Sequence, residues 1–290
     1  MKKCVEALAA SNDNLDEAVT ILRKAGVSAA AKKAGRGASE GAVALAHTSD
    51  GSMALIELNS ETDFVARNEI FQALAVSVAR SALGCDTAST TSTRPVDVAT
   101  IGVKPLNGGD GASVTEALGV AVSQLGENLV LRRACLLQAP NAGGVVASYV
   151  HNAYAKDVGR TAAAVVLAST ADPEALRALG QKLAMHVVAA APRFLNRESV
   201  DAAAIERERS ILLEQAHGSG KPANVIEKMV EGRLNKFFSE VCFVDQEYLI
   251  EESAGSISKV LAAAGKELGT PVELTAFARY SVGETLHPAE

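Results

Sequence analysis

Residues 42–83 read AVALAHTSDGSMALIELNSETDFVARNEIFQALAVSVARSAL, and this stretch decides the fold class. Two aliphatic runs, 42–47 and 53–59, have the length of strands. Ser49-Asp50-Gly51 between them marks a hairpin turn, because Asp-Gly tolerates the left-handed backbone that tight turns need. The loop Asn59-Ser60-Glu61-Thr62-Asp63 then leads into a helix predicted from about Val65 to Leu83, with Phe71, Leu74, Val78 and Ala82 on one face. Strand, turn, strand and long helix make an α+β unit in which the helix covers one face of a hairpin.

The same succession returns downstream. Runs 145–150 and 161–168 are strand-like and joined by a longer loop, and Pro173 opens a helix predicted from about Glu174 to Ala190. The pattern predicts two related α+β core subdomains. The N-terminal one spans 42–140 and takes in a helix near 113–125 and a strand near 129–137. The C-terminal one is built from 141–199 and 244–290, with a helix near 256–265 and a strand over 272–280. Residues 85–112, rich in Ser, Thr, Gly, Pro and Asp, read as a loop insertion. Residues 200–243 read as a protruding antiparallel helical hairpin: two charged helices with a narrow apolar seam, broken at Gly218-Ser219-Gly220-Lys221-Pro222. Upstream, residues 1–25 carry two short helices separated by Asn12-Asp13-Asn14, too small to bury a core alone. Residues 26–41 read as a basic linker. From Arg23 to Arg36 the chain carries five basic residues, Arg23, Lys24, Lys32, Lys33 and Arg36, and no acid, as a solvated tether or as a patch that steers a partner.

Composition narrows the function classes. The chain of 290 residues is 48% hydrophobic but only 4% aromatic, without Trp, so its core is aliphatic. A net charge of −6 gives no global field for nucleic acid, and no direct nucleic-acid partner is expected. Cys4, Cys85, Cys135 and Cys242 are widely spaced, which argues against a zinc site and a disulfide framework. No stretch reads as a membrane span. His47, His151, His186, His217 and His287 show no metal-ligand spacing. The runs Gly35-Arg36-Gly37 and Gly108-Gly109-Asp110-Gly111 are not phosphate loops, and no G-x-S-x-G occurs. The residues favour an interaction protein over an enzyme, with no cofactor and no metal.

One motif stands apart, Thr62-Asp63-Phe64-Val65-Ala66-Arg67-Asn68. Thr62 or Asp63 can cap the helix that follows. Phe64 at its start either staples the helix to the body or is presented outward as the anchor of an interface.

With that motif the chain resembles the elongation factor Ts family. Leu125-Gly126-Glu127-Asn128-Leu129 with Arg132-Arg133, Ala147-Ser148-Tyr149-Val150-His151, Met185-His186-Val187, Ser219-Gly220-Lys221-Pro222 and the run Ile226 to Arg233 are similar to further blocks of that family, in the same order. The resemblance implies an N-terminal UBA-like helical module, incomplete because its first helix would lie before Met1. It implies no enzymatic activity and a partner, the GTPase elongation factor Tu, from which the protein would release GDP. Thr62, Asp63, Phe64 and Val65 would dock on the GTPase domain, with Phe64 wedged near the magnesium site. Leu125, Gly126 and His151 would lie near the same interface, and a dimer could form through the complex. The blocks look most like the alphaproteobacterial type. The insertion and the ends lean towards a mitochondrial matrix protein whose targeting segment is not in the chain, with the bacterial cytoplasm as the alternative. Two other classes compete: a ubiquitin-type adaptor, prompted by the UBA-like start, and a hydrolase using Glu61, Asp63 and His151.

Overall fold

The computed structural model describes residues 2–49, 51–85, 91–109, 111–217 and 222–285. Through them the chain runs α1 (Lys2–Ala10), α2 (Leu15–Lys33), β1 (Glu40–His47), β2 (Ser52–Ser60), α3 (Asp63–Ala66), α4 (Glu69–Leu83), β3 (Thr93–Val96), α5 (Val98–Gly102), α6 (Val114–Leu125) and β4 (Val130–Gln138). It continues with β5 (Gly144–Ala155), β6 (Val158–Ala168), α7 (Pro173–Ala190), α8 (Ala202–His217), α9 (Ala223–Val241), α10 (Ile257–Glu267) and β7 (Glu273–Ser281). The class is α+β, with every strand pair antiparallel.

Among the described residues the strands form one hydrogen-bonded sheet in the order β3-β4-β2-β1-β6-β5, with β7 also on β6. The sheet is nearly divided. β1 meets β6 only at Val43–Gly159 and Ala44–Val158. From Thr161 onward β6 takes β7 instead. The two halves fold face to face. Val43, Leu45, Met53, Leu55, Cys135 and Leu137 of one half share an apolar cluster with Ala162, Ala164, Val166 and Ala276 of the other. The opposite pleat of β1, Ala42, Ala44 and Ala46, packs with Phe71, Ala75 and Val78 of α4. Ala163, Val165 and Leu167 of β6 pack with Leu176, Leu183 and Val187 of α7. The layers are therefore helix, sheet, sheet, helix. Strands buried on both faces need apolar residues at every position, which is why these runs are continuous rather than alternating. Each large side chain so buried contributes about 1.5–3 kcal/mol of transfer free energy.

Several sequence expectations need correction. The predicted linker 26–41 is helical as far as Lys33. Ala-rich sequence favours helix, and Gly26 lets α2 lie against α6: a Cβ there would come within 2.9 Å of the Gly119 carbonyl carbon. The predicted helix 65–83 is two helices, broken at Arg67-Asn68, because Asn68 caps α4 through a 2.9 Å bond from the Ile70 N–H. The expected loop insertion 85–112 holds β3, paired with β4, and α5, whose Ile101 is fully buried. The loop expected between runs 145–150 and 161–168 is strand. β5 and β6 continue to Ala155 and Val158 with a bulge near Ala153, and Asp157 takes a φ of 63° in the tight turn. The expected hairpin turn at 48–52 is closed by the Thr48 N–H donating to the Ser52 carbonyl, although Asp50 itself lies outside the described residues. Pro222 is the N-cap of α9. Gly218–Lys221 and residues 286–290 fall outside the described residues. α8 and α9 pair through a small cluster of Leu212, Ile226 and Val230, separate from the three larger ones.

Candidate partner-binding site

Thr62 has an extended backbone, and its hydroxyl accepts from the Val65 N–H, as an N-cap does. Asp63 follows in the first turn, where a carboxylate suits the helix dipole. α3 is a single turn, ended where Asn68 begins to cap α4. Successive helical residues point about 100° apart, so one turn can bury one side chain and expose its neighbour. Val65 and Ala66 enter the core beside Leu58 and Phe71. Phe64 is 81% exposed. A ring this exposed does not staple the helix to the body; it faces outward.

A second segment holds the first. α6 ends at Gly126, which takes a left-handed φ of 84° and donates its N–H to the Val122 carbonyl. Among the described residues no atom beyond the adjoining residues lies within 4 Å of a Cβ built there, so the demand is for the dihedral and not for space. The turn delivers Glu127, whose carboxylate accepts the Thr62 N–H at 3.0 Å and the Thr62 hydroxyl at 2.6 Å. The Asn128 N–H donates to Glu61 at 2.7 Å, and the Asn128 amide donates to the Arg36 carbonyl at 2.9 Å. Lys33, at the end of α2, donates to the Gly126 carbonyl, and the Arg36 guanidinium pairs with Glu61 at 3.5 Å. Cations that read as a tether or steering patch are thus partly engaged within the fold.

The structure brings Thr62, Asp63, Phe64 and Val65 together with Leu125 and Gly126; Leu125 is half-buried against the same core as Val65. His151 stands apart on β5, exposed, with its Nδ1 3.3 Å from the Tyr149 hydroxyl. Tyr154 on the same strand lies under the Arg67 guanidinium, 5.3 Å from it, and so connects that strand to the segment carrying Phe64. Glu127 and Asn128 enter the sequence reading only within the block 125–129, without a role, and the Arg67–Tyr154 contact lies outside it. A local signal points to a role for Glu127: a Thr N-cap whose third helical residue is Val lacks the acid that would complete a capping box.

The three residues of the hydrolase reading are each engaged with other groups. Glu61 is engaged by Asn128 and Arg36, Asp63 lies 3.9 Å from Arg67, and His151 turns to Tyr149. Among the described residues no group of three or more His, Cys, Asp or Glu is placed to hold a metal ion, and no helix is long and apolar enough to cross a membrane.

The family described as Elongation factor TS matches residues 61–284, from the acid before Thr62 to Glu284 beyond β7. Elongation factor Ts of Paramagnetospirillum magneticum is 45% identical over 284 residues, covering 98% of this chain and 86% of that protein. The protein of the same name from Rhodospirillum rubrum is 43% identical over 290 residues, covering all of this chain and 90% of the relative. That of Caulobacter vibrioides is 42% identical over 287 residues, covering 98% and 88%. With a family match over most of its length and bacterial relatives this similar from end to end, the chain belongs to the elongation factor Ts family.

Proposed function

We propose that the chain is the guanine-nucleotide exchange factor of elongation factor Tu and does no bond chemistry of its own. The relatives support a role in translation elongation. The observation that carries the finer reading is Phe64, a large apolar side chain 81% exposed on a turn that is hydrogen-bonded to a distant segment. An aromatic held in this way is the usual form of an interface hot spot. An exchange factor needs nothing else in kind: it shifts the nucleotide equilibrium by binding the empty GTPase more tightly than the GDP-bound one, and only by that difference. Thr62, Asp63 and Phe64 form the contact, flanked by Leu125 and Gly126; Val65, expected there from the sequence, is buried and supports the turn from the core side, and His151 extends the surface along β5. The ubiquitin-type alternative has less to stand on, since part of α2 is turned against α6 at Gly26. Bacterial relatives support the bacterial cytoplasm as the compartment. The mitochondrial lean drew on the insertion 85–112 and on the ends of the chain; of the insertion, β3 and α5 are ordered elements.

Stopped-flow release of a fluorescent GDP analogue from elongation factor Tu tests the reading. Excess chain is expected to speed release by about 5–150-fold, the range of ordinary coupling energies. Unchanged release overturns it.

A further inference from the structure

We propose that Glu127 is the positioning residue of the Phe64 turn, acting as the missing half of a capping box supplied from a distant part of the chain. The inference rests on the exchange reading for its functional consequence, though not for its geometry.

The same chain shows the complete local motif for comparison. At the start of α6 the Ser113 hydroxyl accepts from the Glu116 N–H at 3.2 Å, and the Glu116 carboxylate accepts the Ser113 N–H at 2.8 Å and its hydroxyl at 3.0 Å. At α3 the first half is present: the Thr62 hydroxyl accepts from the Val65 N–H. The second half cannot be local, because the third helical position is Val65, committed to the core beside Leu58 and Phe71. Glu127, 65 residues away, supplies it, taking the Thr62 N–H and hydroxyl on its two oxygens at 3.0 and 2.6 Å. Charged acceptors make the stronger hydrogen bonds. The turn needs the help, since four helical residues are far too few to sustain themselves. Without the clamp, Phe64 remains exposed but must be ordered as it docks, and that entropy is taken from the binding energy that opens the nucleotide site.

The test uses the full chain in two assays. Amide hydrogen exchange on the free protein is expected to show residues 62–66 exchanging faster in Glu127→Ala, with α4 and α7 unchanged. In GDP release, Glu127→Ala is expected to lower the maximal rate about tenfold, equivalent to about 1.4 kcal/mol of lost positioning. The half-saturating concentration stays close to that of the parent. Glu127→Gln recovers most of the rate, because its carbonyl can accept from the Thr62 N–H while its amide donates to the Thr62 hydroxyl. In a Phe64→Ala background Glu127→Ala is expected to cost nothing further, since a positioning residue has no effect once its target is gone. Unchanged exchange at 62–66 in Glu127→Ala overturns the proposal, as does a Glu127→Ala loss that adds in full to that of Phe64→Ala. If the parent chain fails to speed GDP release, the exchange reading falls alone, and the amide measurement still decides whether Glu127 holds the turn.

Discussion

A phenylalanine left in water forgoes about 1.5–3 kcal/mol that burial would have contributed, and Phe64 forgoes most of it. Because so little of it is packed, Phe64→Ala is expected to shift unfolding free energy by less than about 0.5 kcal/mol. The same variant is expected to slow GDP release about 30-fold, the effect of removing a hot spot of about 2 kcal/mol. Thermal melts and stopped-flow release on one preparation check both. His186 shows the opposite use of a ring. It is fully buried, stacked 5.6 Å from Phe243, with its Nε2 2.9 Å from the Gln246 carbonyl oxygen and its Nδ1 accepting the Leu249 N–H. An N–H donor at Nδ1 requires that nitrogen unprotonated, so the ring is neutral in the fold. Burial holds its pKa below the ordinary 6.5, with the Gln246 bond opposing. A lowered folded pKa means that folding favours the uncharged ring. Its contribution is complete above about 6.5 and falls away as pH drops below that towards the folded value. Urea midpoints are expected to decline between pH 7 and pH 5, and His186→Gln to remove the part of the decline that this ring causes.

Helices in this molecule meet their neighbours by two different uses of glycine. At Gly26 and Gly119 the backbones of α2 and α6 touch: a Cβ on Gly26 would lie 2.9 Å from the Gly119 carbonyl carbon, and one on Gly119 3.0 Å from the Val27 nitrogen. Gly26→Ala gains up to about 1 kcal/mol in helix propensity but costs about 1–3 kcal/mol in overpacking against backbone that cannot yield. The net sign is destabilising. Limited trypsin digestion is expected to cut α2 at Lys24 and Lys32 faster in the variant than in the parent. Among the described residues nothing outside α9's own backbone lies within 4 Å of a Cβ at Gly232, so only propensity acts. Gly232→Ala is expected to stabilise the α8–α9 hairpin by about 0.5–1 kcal/mol, seen as a later melting of its helical signal. The sequence, which reads Gly26 as the start of a linker and places Gly232 in a helix, does not say which of them faces a neighbour. That depends on an element 93 positions further on, since the contact pairs Gly26 with Gly119. The break at Arg67-Asn68 was hidden for a similar reason. Both residues are compatible with helix, and the cap at Asn68 follows a turn whose Val65 and Ala66 are held in the core.

Across the whole molecule, one buried carboxylate ties the first half of the sheet to the end of the chain. Glu57 of β2 is fully buried and meets Arg132 at 3.0 Å, Arg133 at 2.6 Å and the Gly283 N–H at 2.9 Å. Arg133 also meets Glu284 at 2.6 Å and lies 3.9 Å from the Tyr280 ring centre, and Arg279 pairs with Glu284 at 2.7 Å. The segment that follows β7 is therefore held by charge against β2 and β4. Burial pushes the Glu57 carboxyl up, but the Gly283 N–H and the two arginines outweigh it and leave the pKa below the ordinary 4.5. A carboxyl lowered in the fold contributes stability above about 4.5 that is lost as pH falls through the folded value. Glu57→Ala leaves two guanidiniums without their shared counter-charge and is expected to cost about 3–5 kcal/mol in urea unfolding at neutral pH. Glu57→Gln is expected to flatten the acid limb of the stability profile below pH 4.5.

The sequence by itself determined the α+β class, the hairpin at 42–59, the helix at 173–190, the paired helices of 200–243 and the motif centred on Phe64. Each follows from spacing, turn chemistry or composition within a few residues, which local physics reads directly. The tertiary structure decided that the strands form one divided sheet folded face to face, that 26–33 is helix and 93–102 is ordered, and that Phe64 points outward on a turn clamped by Glu127. Those outcomes depend on partners tens of residues away, and a chain shows which residues want a partner long before it shows which partner they meet.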